Sequence, residues 1–322
     1  MNRIIIVGTL LILLIVAYFY FAYAPVPNEP HLSSKIEQAT IQVANQTRNY
    51  LFYVPKKLSN KPALIIALHG TGMNADKMRQ WTAFEFDQLA DQKGFVVIYP
   101  NGYKGNWNDC RSNVPFPAKK ENIDDVGFIQ SLVDQFKKDY GVDAGKVYVF
   151  GFSNGGQMAL RLAMEEPGLI AAVSAIGANL PTLATCSCKL EGQTSRVMLV
   201  TGTKDPINPY YGGDVTLFGF KKIGTVISAQ ASAESLAERN GITTKPLTEK
   251  IQNLKENNLE ENNGIYTERK SWTKAGQTVV ELCTIYGGGH VIPQSKFRFP
   301  KLMGETSKSF DAPQQAVSFF GL

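Results

Sequence analysis

Three residue types in this chain could together carry out covalent acyl transfer: a serine hydroxyl, an imidazole and a carboxylate. The serine is Ser153, within Gly151-Phe152-Ser153-Asn154-Gly155-Gly156. A hydroxyl is a poor nucleophile unless a neighbouring base takes its proton. The chain has three histidines, so the base can be sought by elimination. His31 follows a Pro-containing stretch near the N-terminus. His69 lies in Leu68-His69-Gly70-Thr71-Gly72, ahead of the serine, and His290 closes Gly287-Gly288-Gly289-His290. Where a serine sits on a strand-turn-helix elbow, the chain order is serine, acid, histidine, and only His290 satisfies it. The acid should follow a strand between the two. Asp205 does so, after Val197 to Val200 and Gly202, with Pro206 stiffening the loop. Asp214 is its rival but lies further from the strand end. The carboxylate would orient the imidazole and stabilise its charged form.

These side chains need elements to position them. A Gly-x-Ser-x-Gly match arises by chance in roughly one chain in ten of this length. The context therefore carries the inference. Lys146 to Phe150 reads as a buried strand, and an apolar-periodic helix follows the motif. Gly151 and Gly155 leave room where a Cβ would strike neighbouring backbone. The helix N-terminus would face the site and favour developing negative charge. Two backbone N–H groups should hold that charge, one from Asn154 and one from Thr71 in the loop after Leu68. His69 then has a supporting role in shaping that loop. Trp107 could line the acyl site or be a buried loop tryptophan. Asp124 and Asp125 read as helix cap and loop anchor.

Short apolar runs alternate with amphipathic stretches through most of the chain, the signature of strand-helix repeats and a mainly parallel sheet. Predicted strands cover Tyr50 to Val54, Ala63 to Leu68, Phe95 to Tyr99, Lys146 to Phe150, Arg196 to Val200 and Thr278 to Ile285. Predicted helices cover Asp125 to Lys138, capped by Asp124, and Val226 to Arg239. Thr243 to Asn263 is polar and reads as a surface insertion or a partial cover over a site.

With 322 residues, 44% hydrophobic and 19% charged, the chain can bury a full core and is not broadly disordered. The net charge of +5 is scattered, with no basic run interleaved with aromatics, so a nucleic-acid partner is not expected. Ile4 to Ala24 carries no charge and follows Arg3. It is long enough to span a bilayer as a hydrophobic helix, with the rest of the chain exported. Ala22-Tyr23-Ala24 offers a signal-cleavage site, but Pro25 after it favours an uncleaved anchor over a secreted product. The expected division is 1–24 signal-anchor or signal peptide, 25–35 linker and 36–322 catalytic unit. Four cysteines, Cys110, Cys186, Cys188 and Cys283, favour disulfides in an exported chain, with three pairings open. Cys186-Ser187-Cys188 lacks the spacing and the nearby histidine of a metal site.

The ordered set of motifs resembles the exported esterases grouped with poly(3-hydroxybutyrate) depolymerases and feruloyl or acetylxylan esterases. It runs from Tyr50-Leu51-Phe52-Tyr53-Val54-Pro55 through Leu68 to Gly72, Gly94 to Asn101, Trp107-Asn108 and Asp124 to Phe128. It continues with Gly151 to Gly156, Gly202 to Asp205, Pro209 to Gly213 and Gly287 to His290. The resemblance implies an α/β-hydrolase fold, helices on both faces of a mainly parallel sheet, and a triad at Ser153, Asp205 and His290. It implies small or polymeric ester substrates and no cofactor or metal. The chain departs from the family after the histidine, where Val291-Ile292-Pro293 replaces Thr-Trp-Pro. A peptidase on the same scaffold and a non-catalytic binding module are the competing functions.

Overall fold

The computed structural model describes residues 2–189, 191–251 and 264–322. Among the described residues twelve strands form: β1 Glu37–Val43, β2 Gln46–Tyr53, β3 Leu64–Leu68, β4 Val96–Pro100, β5 Val147–Phe152, β6 Ala172–Ile176, β7 Arg196–Gly202, β8 Gly213–Leu217, β9 Lys221–Val226, β10 Leu247–Ile251, β11 Tyr266–Lys274 and β12 Gln277–Tyr286. The helices are α1 Asn2–Ala17, α2 Ala75–Trp81, α3 Glu85–Lys93, α4 Pro117–Lys120, α5 Asp125–Tyr140, α6 Asn154–Glu165, α7 Ala229–Arg239 and α8 Ala312–Phe320.

Ten strands make one sheet in the order β1-β2-β4-β3-β5-β6-β7-β12-β11-β10. From β4 to β12 all neighbours are parallel, while antiparallel strands finish both edges. The central strands are apolar on both faces because helices cover both. Alternation along β3 sorts them: Leu64, Ile66 and Leu68 pack with α5, α6 and α7, whereas Ile65 and Ala67 pack with α2, α3 and α8. A separate hairpin, β8–β9, carries its own small core of Val215, Ile223 and Val226 against Val114, Phe116 and Ile207.

The predicted strands are present, with ends shifted by a residue or a few. Val226 closes β9, and α7 begins at Ala229 behind Ser228, whose hydroxyl accepts from the Ala231 N–H at 3.1 Å. The polar stretch from Thr243 is corrected in part. Leu247–Ile251 pairs antiparallel with β11 as the edge strand, and its outward polar residues suit an edge. Residues 252–263 of that stretch lie outside the described residues.

The N-terminal expectation also changes. The helix does not run unbroken to Ala24. Its α-helical part stops at Ala17, and Tyr18–Ala22 forms a π-helical turn closed by the Tyr23 N–H on the Tyr18 carbonyl at 2.9 Å. The change falls where aliphatic residues give way to Tyr18-Phe19-Tyr20-Phe21, whose rings lose rotamer freedom in a helix. Among the described residues no helix is long and apolar enough to cross a membrane. The stretch read as a linker is laid against α2 and α3. Glu29 pairs with Arg79, the Ser33 N–H donates to Asp91 at 2.8 Å, and Leu32 and Ile36 pack on the core.

Candidate active site

Ser153 sits where β5 ends and α6 begins, with φ 55° and ψ −118°. A positive φ is costly for a residue with a Cβ and persists only where the surroundings enforce it. Three observations show the enforcement. The Ser153 N–H donates to the Ile176 carbonyl at 2.8 Å, and the Ser153 carbonyl accepts the first helical bond, from the Gln157 N–H at 2.9 Å. A Cβ at Gly155 would run into the Leu68 and His69 carbonyls, so the elbow can only close on glycine. The result presents Ser153 half-exposed at the carboxyl end of the parallel strands.

Asp205 and His290 come together from loops 85 residues apart in sequence, Nδ1 to Oδ2 at 2.7 Å, with both side chains buried. The other Asp205 oxygen, Oδ1, accepts the N–H groups of Ile207 at 2.8 Å and Asn208 at 2.7 Å. That leaves Oδ2 for the imidazole and fixes the carboxylate's orientation. Backbone bonds hold the histidine loop: the Gly289 N–H donates to the Glu305 carbonyl at 2.8 Å and the His290 N–H to the Met303 carbonyl at 2.7 Å. The His290 ring lies 5.0 Å, centroid to centroid, from that of Phe152, the residue before the serine. Ser153 makes no hydrogen bond to the ring among the described residues, a looseness common before substrate binds. The rival acid, Asp214, is on the exposed hairpin and pairs with Lys222 at 2.8 Å.

His69 is excluded as a base by its surroundings. Its Nδ1 faces the Gly70 carbonyl at 2.8 Å, and its Nε2 accepts the Gly102 N–H at 2.9 Å. A carbonyl on one side and an N–H on the other require a neutral ring protonated at Nδ1. Burial pulls its pKa down to about 4, from an ordinary 6.5. The ring thereby ties the loop after β3 to the Gly102 turn. Thr71 follows it, and neither its N–H nor that of Asn154 takes an acceptor among the described residues. A Cβ at Gly70 would lie 3.3 Å from the Ser153 Cβ, so this loop flanks the nucleophile closely.

Trp107 is corrected as a substrate contact. Its ring is fully buried, its Nε1–H donates to the His69 carbonyl at 2.9 Å, and its backbone N–H donates to Asn154 Oδ1 at 2.7 Å. It braces the site from within. Asp124 caps α5 through the Gly127 N–H at 2.8 Å, and Asp125 accepts from Arg48 and from the Asn108 N–H, both at 2.7 Å. One disulfide forms, Cys110–Cys188, while Cys186 and Cys283 are free thiols.

Sequence reasoning missed the groups behind Asn154. Its Nδ2 donates to Asp109 Oδ2 at 2.7 Å, and Asp109 is buried in an ion pair with Arg111 at 2.6 Å. The only hint was the run of polar residues around Cys110 in an otherwise loop-like segment.

Residues 49–227 match the Dienelactone hydrolase family, more than half of the chain, and the protein belongs to that family. The matched region contains Ser153 and Asp205 and ends before β12 and His290. Over 92% of its length the chain is 27% identical to a protein of Nocardia uniformis subsp. tsuyamanensis named as a candidate esterase, NocK, covering 86% of it. It is 35% identical to feruloyl esterase B of Neurospora crassa over 45% of this chain, and spans 49% of that relative's length. It is 29% identical to an acetylxylan esterase of Coprinopsis cinerea over 76% of this chain and 65% of the relative. Among solved structures, an acetyl xylan esterase from Aspergillus awamori shares the fold, with TM-score 0.58 and 17% identity over 89% of this chain and 99% of that one.

Proposed function

We propose that the protein is a carboxylic-ester hydrolase that works through a Ser153 acyl-enzyme. The observation that carries this reading is the strained Ser153 elbow beside a buried His290–Asp205 pair. His290 takes the Ser153 proton as the oxygen attacks the ester carbonyl, and Asp205 steadies the imidazolium. The Asn154 and Thr71 N–H groups receive the oxyanion. The alcohol leaves with the proton from His290. Water then attacks the acyl carbonyl as His290 takes its proton, and His290 returns that proton to the Ser153 oxygen as the acid is released. No metal or cofactor takes part.

The family resemblance implies three ester classes: hydroxyalkanoate oligomers or polymers, hydroxycinnamoyl esters and acetyl esters. The feruloyl and acetylxylan esterases among the relatives favour the last two. The reading extends to location. Disulfides persist in oxidising compartments, so Cys110–Cys188 supports a unit, residues 36–322, that acts outside the cytoplasm. The N-terminal segment, residues 1–24, then serves as its membrane anchor, or as a signal if cleaved.

The test is fluorophosphonate labelling of the folded protein followed by peptide mapping, alongside hydrolysis of acetyl and feruloyl esters. The adduct should fall on Ser153 and vanish in Ser153→Ala and His290→Ala, with hydrolysis falling at least about 10⁴-fold. Full hydrolysis by Ser153→Ala would overturn the assignment.

A further inference from the structure

We infer that Asp109 is a positioning residue for the oxyanion hole, acting through the side chain of Asn154; the inference rests on the acyl-enzyme reading above. Asn154 is the first residue of α6, yet its side chain does not cap the helix. It reaches across to the 107–111 segment with both of its amide hydrogens in use. Its Oδ1 accepts the Trp107 N–H at 2.7 Å, and its Nδ2 donates to the Trp107 carbonyl at 3.2 Å and to Asp109 Oδ2 at 2.7 Å. The residue that offers its N–H to the oxyanion is therefore held from outside its own helix. An N–H donor helps only if it points where charge will develop, and small displacements are costly.

Asp109 is built for holding. It is fully buried, and Arg111 approaches both of its oxygens: Nε and the backbone N–H reach Oδ1 at 3.0 and 2.8 Å, and Nη2 reaches Oδ2 at 2.6 Å. Arg111 is fixed in turn by the Ile223 carbonyl at 2.9 Å, where the positive-φ Gly224 makes room for it. Cys110, between the two charged residues, is bonded to Cys188. A buried ion pair is an expensive way to fill space, and apolar side chains often serve stability as well. Here the pair supplies what they cannot, a fixed acceptor for Asn154. Arg111 also cancels the carboxylate's charge, so the clamp does not oppose a developing oxyanion.

The experiment uses the full chain, with 4-nitrophenyl acetate as substrate and phenylboronic acid as the tetrahedral mimic. Asp109→Asn and Asn154→Ala should each lower kcat about 10- to 100-fold while KM moves less than about threefold. Boronate affinity should fall by a similar factor. The double variant should be no worse than the more damaging single one, because Asp109 acts only through the Asn154 side chain. If Asp109→Asn does not fold, Asp109→Leu combined with Arg111→Met decides, since it removes the contact to Asn154, keeps the Trp107 bonds and leaves no buried unpaired cation. Wild-type kcat and boronate affinity in the folded variants, or losses that multiply in the double variant, would overturn the inference. A wild-type protein inert to both probes would overturn the acyl-enzyme reading beneath it, a result distinct from active variants.

Discussion

The two sides of the candidate site are held by different means. On the nucleophile side, Asn154, Asp109, Arg111, His69 and Trp107 are joined by buried side-chain bonds, and a disulfide pins the strut. On the histidine side, glycine-rich backbone lies directly on backbone, and one side-chain bond, Asp205 to His290, sets the ring. The difference matches the tasks in the proposed mechanism. Oxyanion donors must stay still, so redundancy serves them. An imidazole must exchange protons with two oxygens in turn, which a single hinge-like tie allows.

The sharpest break of this contrast is Asp205→Asn. The amide can keep the Ile207 and Asn208 bonds through its oxygen, but it offers an N–H to His290 and forces the wrong tautomer. We expect kcat to fall about 10³- to 10⁴-fold with the melting temperature little changed. Asp205→Asn activity within tenfold of wild type would mean the histidine has another support. The nucleophile side should fail more gradually. Replacing both Cys110 and Cys188 by Ser should cost about 2–4 kcal/mol in urea unfolding, with kcat down less than about tenfold because Asp109 and Arg111 still hold Asn154. A kcat loss as large as that of Asp205→Asn would erase the distinction.

The smallest effects are in pH dependence, where the two sides should oppose each other. Folded His69 titrates at about 4 against an ordinary 6.5, so acidification through that window favours the unfolded chain. Glu85 hydrogen-bonds Lys296 on the segment after His290, at 2.6 Å. Burial, with Asp311 nearby and only Lys296 opposing, raises its pKa to about 7 from 4.5. The folded state there holds a proton the unfolded one has lost, so stability falls as pH rises from 4.5 to about 7. Each slope is worth on the order of 1–3 kcal/mol, and they offset between pH 4.5 and 6.5. Asp87, raised by burial to about 6, adds to the Glu85 slope, so urea unfolding across that range should show stability falling with pH more steeply than wild type in His69→Gln and less steeply in Glu85→Gln. Identical profiles in the two variants would refute this account.

What the sequence made legible was local. Gly151 and Gly155 announce a turn that only glycine can make, and chain order then selects Asp205 and His290. The strand β6, Ala172–Ile176, was missed because its five small or mixed residues carry no period. Strand β1 hid in the polar alternation of an edge, and the β8–β9 hairpin in a tip, Phe218-Gly219-Phe220, that lacks the usual turn pair. The Asp109–Asn154 contact and the Cys110–Cys188 bond join residues 45 and 78 positions apart, and no motif marks Asp109 or pairs the two cysteines. Long-range pairings of that kind are decided by the assembled sheet, which no single stretch of sequence describes.

The packing of residues 25–35 has a mechanical consequence. A free tether of that length would let its two ends wander about 17–20 Å apart. With Glu29 on Arg79, Ser33 on Asp91, and Lys301 3.8 Å from the centre of the Tyr20 ring, the slack is taken up. The segment that follows the N-terminal helix is thereby tied to the hydrolase at three points. Under the proposed anchoring of residues 1–24, the surface that holds the helix would also set the working radius and the bearing of Ser153.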